Sequence, residues 1–87
     1  MDSDTAGAYL MAMDWDHELD ARGLLCPLPV LKARKRLQGM QSGQVLRIVA
    51  TDPAAVIDVP HFCTEAGHAF LGASEVQDAQ AYLIRKA

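Results

Sequence analysis

Pro27 and Pro29 stand two residues apart, directly behind Cys26, in the stretch LLCPLPVLKARKRL. Proline has no N–H and a fixed φ, so neither residue fits inside a helix or a central strand. Both fit in the first turn of a helix, where the N–H groups have no intrahelical acceptor anyway. The residues that follow agree. Val30, Ala33 and Leu37 fall on one side of a helical wheel, and Cys26 extends that stripe backwards. Lys32, Lys35 and Arg36 lie opposite, which predicts an amphipathic helix of roughly three turns. Pro29 pushes Leu28 away from αR, so the helix proper begins at Leu28 or Pro29. Gly39 is placed to end it, and Ser42-Gly43 marks a turn.

The flanking segments have other periods. Residues 14–21, DWDHELDA, alternate strictly, with Trp15, His17, Leu19 and Ala21 on one face. That is a strand with one buried side, stopped by Gly23. VLRIVA, residues 45–50, is apolar and β-branched and predicts a second strand. Asp52-Pro53 then reads as an N-cap with proline at the first helical position. Val56, Val59, Cys63 and Ala66 recur at helical spacing as the buried stripe of a second helix. Pro60 kinks that helix or makes it restart, with Asp58 as a second cap, and Gly67 ends it. Residues 68–74 and 80–86 form a hairpin around Glu75–Ala79. The order β-α-β-α-β-β predicts an α/β two-layer sandwich with both helices on one face of the sheet. Residues 1–13 lack periodicity and are read as a variable tail; residues 14–87 are read as a single domain.

Charge is unevenly placed on these 87 residues. The net value is −3, which argues against a general nucleic-acid binder. Residues 1–20 hold six acids and no Lys or Arg, while residues 27–38 hold Lys32, Arg34, Lys35 and Arg36 and no acid. Such a run is either a solvated helix face or a docking surface for an acidic partner. Two cysteines are too few for a disulfide-stapled scaffold, and no CxxC or other metal-ligand spacing occurs. Nothing approaches the length of a membrane span, and the acidic N-terminus does not resemble a signal peptide. A reducing, cytoplasmic setting with both thiols free is the expectation.

Cys26 then lies just before a helix N-terminus, whose partial positive charge favours an anion. The thiolate is the reactive form of cysteine. An unperturbed thiol titrates at about 8.5, and a helix end moves it by roughly one pKa unit or less. The bases begin six positions on and are partly screened. The expectation is an activated thiol of modest acidity. His17 lies on the inward face of the first strand, and His61 and His68 flank the far end of the second helix, so spacing gives no Cys-His pair. Without a resolving cysteine or a paired base, a lone exposed thiol suits carriage of a group by exchange. The bland alternative for Cys26 is a small buried hydrophobe. Cys63, on an apolar stripe, is read as core.

Two elements carry a resemblance: Cys26-Pro27-Leu28-Pro29 opening the first helix, and Asp52-Pro53 with Asp58-Val59-Pro60-His61-Phe62-Cys63 in register behind it. With LDARGLLCPLPVLKARKRL and the terminal YLIRK, the chain from about Asp14 onward resembles the TusA/SirA-like sulfur-carrier family. The resemblance implies a βαβαββ sandwich like the C-terminal domain of translation initiation factor three. Its four-stranded sheet is mixed, and its last strand is antiparallel to the rest. It also implies a sulfurtransferase in the relay sense. Cys26 accepts sulfane sulfur as a persulfide from a cysteine desulfurase and yields it to a downstream acceptor protein. Pro27 and Pro29 set the backbone, and no bound cofactor or metal is needed. In the best-known branch the sulfur ends in tRNA 2-thiouridine; other branches serve molybdenum cofactor maturation or sulfur oxidation. The variable motif position, Glu in the best-known tRNA-thiolation member, is Leu28 here.

On the wheel Leu28, Leu31, Lys32 and Lys35 lie close together beside the thiol. With Arg36 they are the candidate docking face for a partner with an acidic rim. No direct nucleic-acid contact, no membrane and a monomeric carrier are expected. Two rivals remain. One is a non-catalytic interaction or regulatory module that uses the basic face of the first helix. The other is a thiol-disulfide protein pairing Cys26 with Cys63, which needs Cα atoms within about 7 Å.

Overall fold

Where the hydrophobic period changes from two to 3.6, the backbone changes from strand to helix. The computed structural model describes residues 14–87, so the variable tail expected over residues 1–13 lies outside the described residues. The elements are β1 (His17–Ala21), α1 (Leu28–Gln38), β2 (Val45–Ala50), α2 (Ala55–Ala66), β3 (Ala69–Val76) and β4 (Ala79–Arg85). They build one sheet in the order β1-β2-β4-β3. β1 and β2 are parallel, with α1 as their crossover, and β4 runs antiparallel to β2 and β3. This is the expected mixed sheet.

Alternation decides which side the helices cover. Leu19 and Ala21, Leu46, Ile48 and Ala50, and Tyr82 and Ile84 point to one face. They pack against Ala33 and Leu37 of α1 and Val59, Phe62 and Cys63 of α2. The other face keeps only a small cluster of Val49, Ala79 and Ala81 with Val76 beside it. Trp15, expected on the buried side, precedes β1 and is 39% exposed. The Arg47 guanidinium stacks on its ring at 4.4 Å and also pairs with Glu18 at 2.9 Å. That stack holds the ring away from the core.

Further expectations are corrected. Pro29 is buried with Ala33 and Leu37, but Cys26 does not prolong their stripe; it is exposed. Asp52-Pro53 lies ahead of α2, whose N-cap is Ala54, and the helix passes Pro60 without restarting. Its buried stripe is Ala55, Val59, Phe62 and Cys63, leaving Val56 54% exposed and Ala66 exposed at the last turn. The large Phe62 ring gains most from burial and so fixes the rotation of the helix. The closing hairpin turns tightly on Gln77 and Asp78, with Gln77 at φ +50°.

For the site, the register Ala21↔Ala50 matters most. Parallel strands end at the same edge of a sheet, so the loop after β1 and the loop after β2 lie side by side. Gly23 N–H donates to Thr51 Oγ1 at 2.9 Å, and Cys26 N–H donates to Asp52 Oδ2 at 2.6 Å.

Candidate functional site

Cys26 occupies the loop between β1 and α1 with its thiol exposed. Pro27 holds the N-cap position of α1, Leu28 is the first helical residue, and Pro29 fills the second. No side chain of α1 caps its own N-terminus and its first turn holds no acid. Instead, acids of the next crossover reach in. Asp52 bridges the two loops: Oδ2 accepts from Cys26 N–H, and Oδ1 accepts from Ala54 N–H at 3.1 Å. Asp58, in the first turn of α2, lines the same groove as the Cys26 thiol.

This placement reverses the expected electrostatics. The Asp58 carboxylate holds the proton on Cys26 and pushes the thiol above its ordinary value; burial and the charges of Asp58 and Asp52 add to this. The helix end was expected to lower it. A helix dipole is a partial charge worth a fraction of a unit charge, whereas Asp58 brings a full one to the same groove.

The thiol opens on a groove of about 170 Å³ between the two helices. Pro27, Val30 and Arg34 line it from the α1 side; Asp58, His61, Phe62 and Glu65 line it from α2. The Arg34 guanidinium lies 5.3 Å from the centre of the Phe62 ring. His61, expected at the far end of α2, faces this groove and pairs with Glu65 one turn on at 3.3 Å. His68 lies beyond it, its ring 5.8 Å from Phe62, and Nδ1 accepts the Ala87 N–H at 3.0 Å. Burial, with Lys86 nearby, pushes His68 below its ordinary value.

The candidate docking residues divide. Leu28 and Leu31 are 45% and 50% exposed. Lys32, Lys35 and Arg36 line a different groove, about 390 Å³, with His17, Leu19, Gly39 and Met40. Arg36 is tied there to β1, donating through Nη1 to the Glu18 carbonyl at 3.0 Å. Arg34, the fourth base of the run, is the one that joins the thiol groove. Cys63 is 1% exposed, and both cysteines are free. Burial pushes the Cys63 thiol up to about 11. A Cys26–Cys63 pair is therefore absent. Among the described residues no cluster of His, Cys, Asp or Glu is arranged to hold a metal ion, and no helix is long and apolar enough to cross a membrane.

Sequence reasoning had Asp52 and Asp58 as helix caps and missed their reach to the thiol. The signal was present in the topology, since a parallel pair puts both following loops at one edge. Arg34 and Phe62 were missed because their contact joins two helices, and no spacing within one helix reports it.

Three comparisons bear on this geometry. Residues 17–86 match the family model described as Sulfurtransferase TusA. A relative in Allochromatium vinosum, the sulfur carrier protein TusA, is 47% identical over 73 residues. The match covers 84% of this chain and 96% of that protein. The crystal structure of a SirA-like protein from Desulfitobacterium hafniense superposes with a TM-score of 0.69 at 20% identity. It covers 83% of this chain and 97% of that one, and it supports the fold.

Proposed function

This chain belongs to the TusA sulfurtransferase family, and on that premise we propose that it is a sulfur carrier whose persulfide forms on Cys26. The observation that carries the reading is the asymmetry of the two thiols. Cys26 is exposed at the mouth of a groove, and Cys63 is sealed in the core. The transfer balances without an outside oxidant. The Cys26 thiol attacks the outer sulfur of a donor persulfide, R–S–SH. A new S–S bond forms at Cys26, the donor S–S bond breaks, and R–SH leaves with the proton Cys26 gave up. Delivery to an acceptor thiol is the same exchange in reverse.

The donor is a cysteine desulfurase and the recipient a downstream acceptor protein, in tRNA 2-thiouridine synthesis, molybdenum cofactor maturation or related sulfur trafficking. The protein works in the cytoplasm as a monomer. Pro27 and Pro29 hold the thiol at the start of α1. Leu28 and Leu31 give an exposed apolar patch, and Lys32, Lys35 and Arg36 a positive one that suits an acidic rim on a partner. No bound cofactor or metal enters the exchange.

Intact-mass spectrometry tests this. The protein and a Cys26→Ser variant are incubated with a cysteine desulfurase and L-cysteine. A gain of one sulfur, reversed by reductant and missing in the variant, is the expected result. Absence of any adduct with several desulfurases would favour an interaction module acting through the basic face of α1.

A further inference from the structure

The groove beside Cys26 is far larger than the one atom that distinguishes a loaded carrier from an empty one. Its apolar wall is Val30 with the Phe62 ring, which is 3% exposed. Besides Cys26, its titratable side chains are Arg34, Asp58, His61 and Glu65. Asp58 stands beside the thiol, and Glu65 lies 3.3 Å from His61. Asp52 is spent on two backbone N–H groups. Arg34 is the groove's one permanent cation, and among the described residues it enters no ion pair. Its stack on Phe62 holds the guanidinium in place without cancelling its charge.

Loading changes what the site must hold. Sγ becomes a bridging sulfur with no proton to donate to Asp58. The ionisable atom moves one S–S bond, about 2 Å, outward. An anion there is repelled by Asp58 and attracted by a nearby cation.

We propose that the outer sulfur of the Cys26 persulfide turns away from Asp58 into the groove between α1 and α2, where Arg34 holds it as an anion. This deepens the carrier reading and rests on it. Asp58 keeps the empty state and Arg34 the loaded one. Arg34 thereby acts as a cargo-binding residue, apart from Lys32, Lys35 and Arg36.

The test installs the persulfide chemically, in wild type, Arg34→Leu and Arg34→Lys. A pyridyl disulfide converts Cys26 to a mixed disulfide, and sulfide then displaces the pyridine thiol: Cys26–S–S–R and HS⁻ give Cys26–S–S⁻ and R–SH. Alkylation by iodoacetamide is followed against pH by intact mass, for the persulfide and separately for the empty thiol. Arg34 favours the anion, so its removal moves the persulfide midpoint up. On the acidic limb Arg34→Leu is expected to slow persulfide alkylation about three- to fivefold. The empty thiol should slow by less than half that factor, and Arg34→Lys should recover most of the loss. An unchanged persulfide, equal slowing of both forms, or no recovery with lysine would overturn the proposal. Since no desulfurase takes part, failure of enzymatic loading in wild type bears on the carrier reading alone.

Discussion

Cys26 and Cys63 belong to one chain and meet opposite surroundings. Both thiols are held above their ordinary values, for different reasons. Cys63 sits among Val59, Phe62 and the sheet, where no water or cation can solvate a thiolate, and desolvation alone pushes it to about 11. Cys26 is exposed, and its thiolate is disfavoured first by Asp58, one acid that a partner or a substitution can neutralise. Burial makes a permanent barrier, whereas a surface carboxylate makes a removable one. A thiol that must react on contact with one protein and stay quiet among others needs the second kind.

The widest separation between the two is kinetic. Iodoacetamide reaches Cys26 directly, but it reaches Cys63 only when the core opens. Opening of a core element approaches the global unfolding free energy, at least ~5 kcal/mol for a typical domain. Cys63 should therefore alkylate at least about 10³-fold more slowly than Cys26 at pH 8, read as the second mass increment under native conditions. Comparable rates would mean that α2 does not seal Cys63.

A smaller effect tests the burial side by itself. Cys63→Ala removes a buried sulfur and should cost about 1–2 kcal/mol in urea unfolding at pH 7. The cost should shrink in alkali. The folded-state value of Cys63, about 11, lies above that of an unperturbed thiol. Its contribution is thus fully present below pH 9 and is lost as pH rises from 9 toward 11. Wild type should lose more stability than Cys63→Ala across that window, and parallel curves would contradict the burial assignment. Sulfur loading should survive the substitution, because the two cysteines share no bond.

The same contrast shows what the sequence makes legible. Period two in HELDA, period 3.6 after Pro29 and the β-branched run at 45–50 follow local rules, and the sheet, both helices and the buried Cys63 follow from them. Patterning within one element reports which face is apolar. It fails where two apolar stripes compete, as on α2, because Phe62 against Val56 is settled by packing across the core. It fails again at the thiol. The reading from α1 alone gave a helix end that lowers the Cys26 value; the acids that raise it come from the loop after β2 and the first turn of α2. Those residues are 26 and 32 positions away in sequence and adjacent only because β1 and β2 run parallel.

The smallest effect probes the removable barrier. In Asp58→Asn the amide still occupies the site but carries no charge and accepts a weaker hydrogen bond. The Cys26 midpoint should fall toward its ordinary value, so alkylation near pH 8 should rise by roughly threefold or more. Asp52→Asn should change it less, for two physical reasons. Asp52 acts on the thiol through charge only, and its carboxylate already receives two backbone N–H groups that draw on its negative charge. The order Asp58→Asn above Asp52→Asn above wild type, in alkylation rate at one pH, is the signature of a thiol held by a hydrogen bond. Equal rises would mean a diffuse acidic field. A fall in Asp58→Asn would restore the helix end as the dominant influence on Cys26.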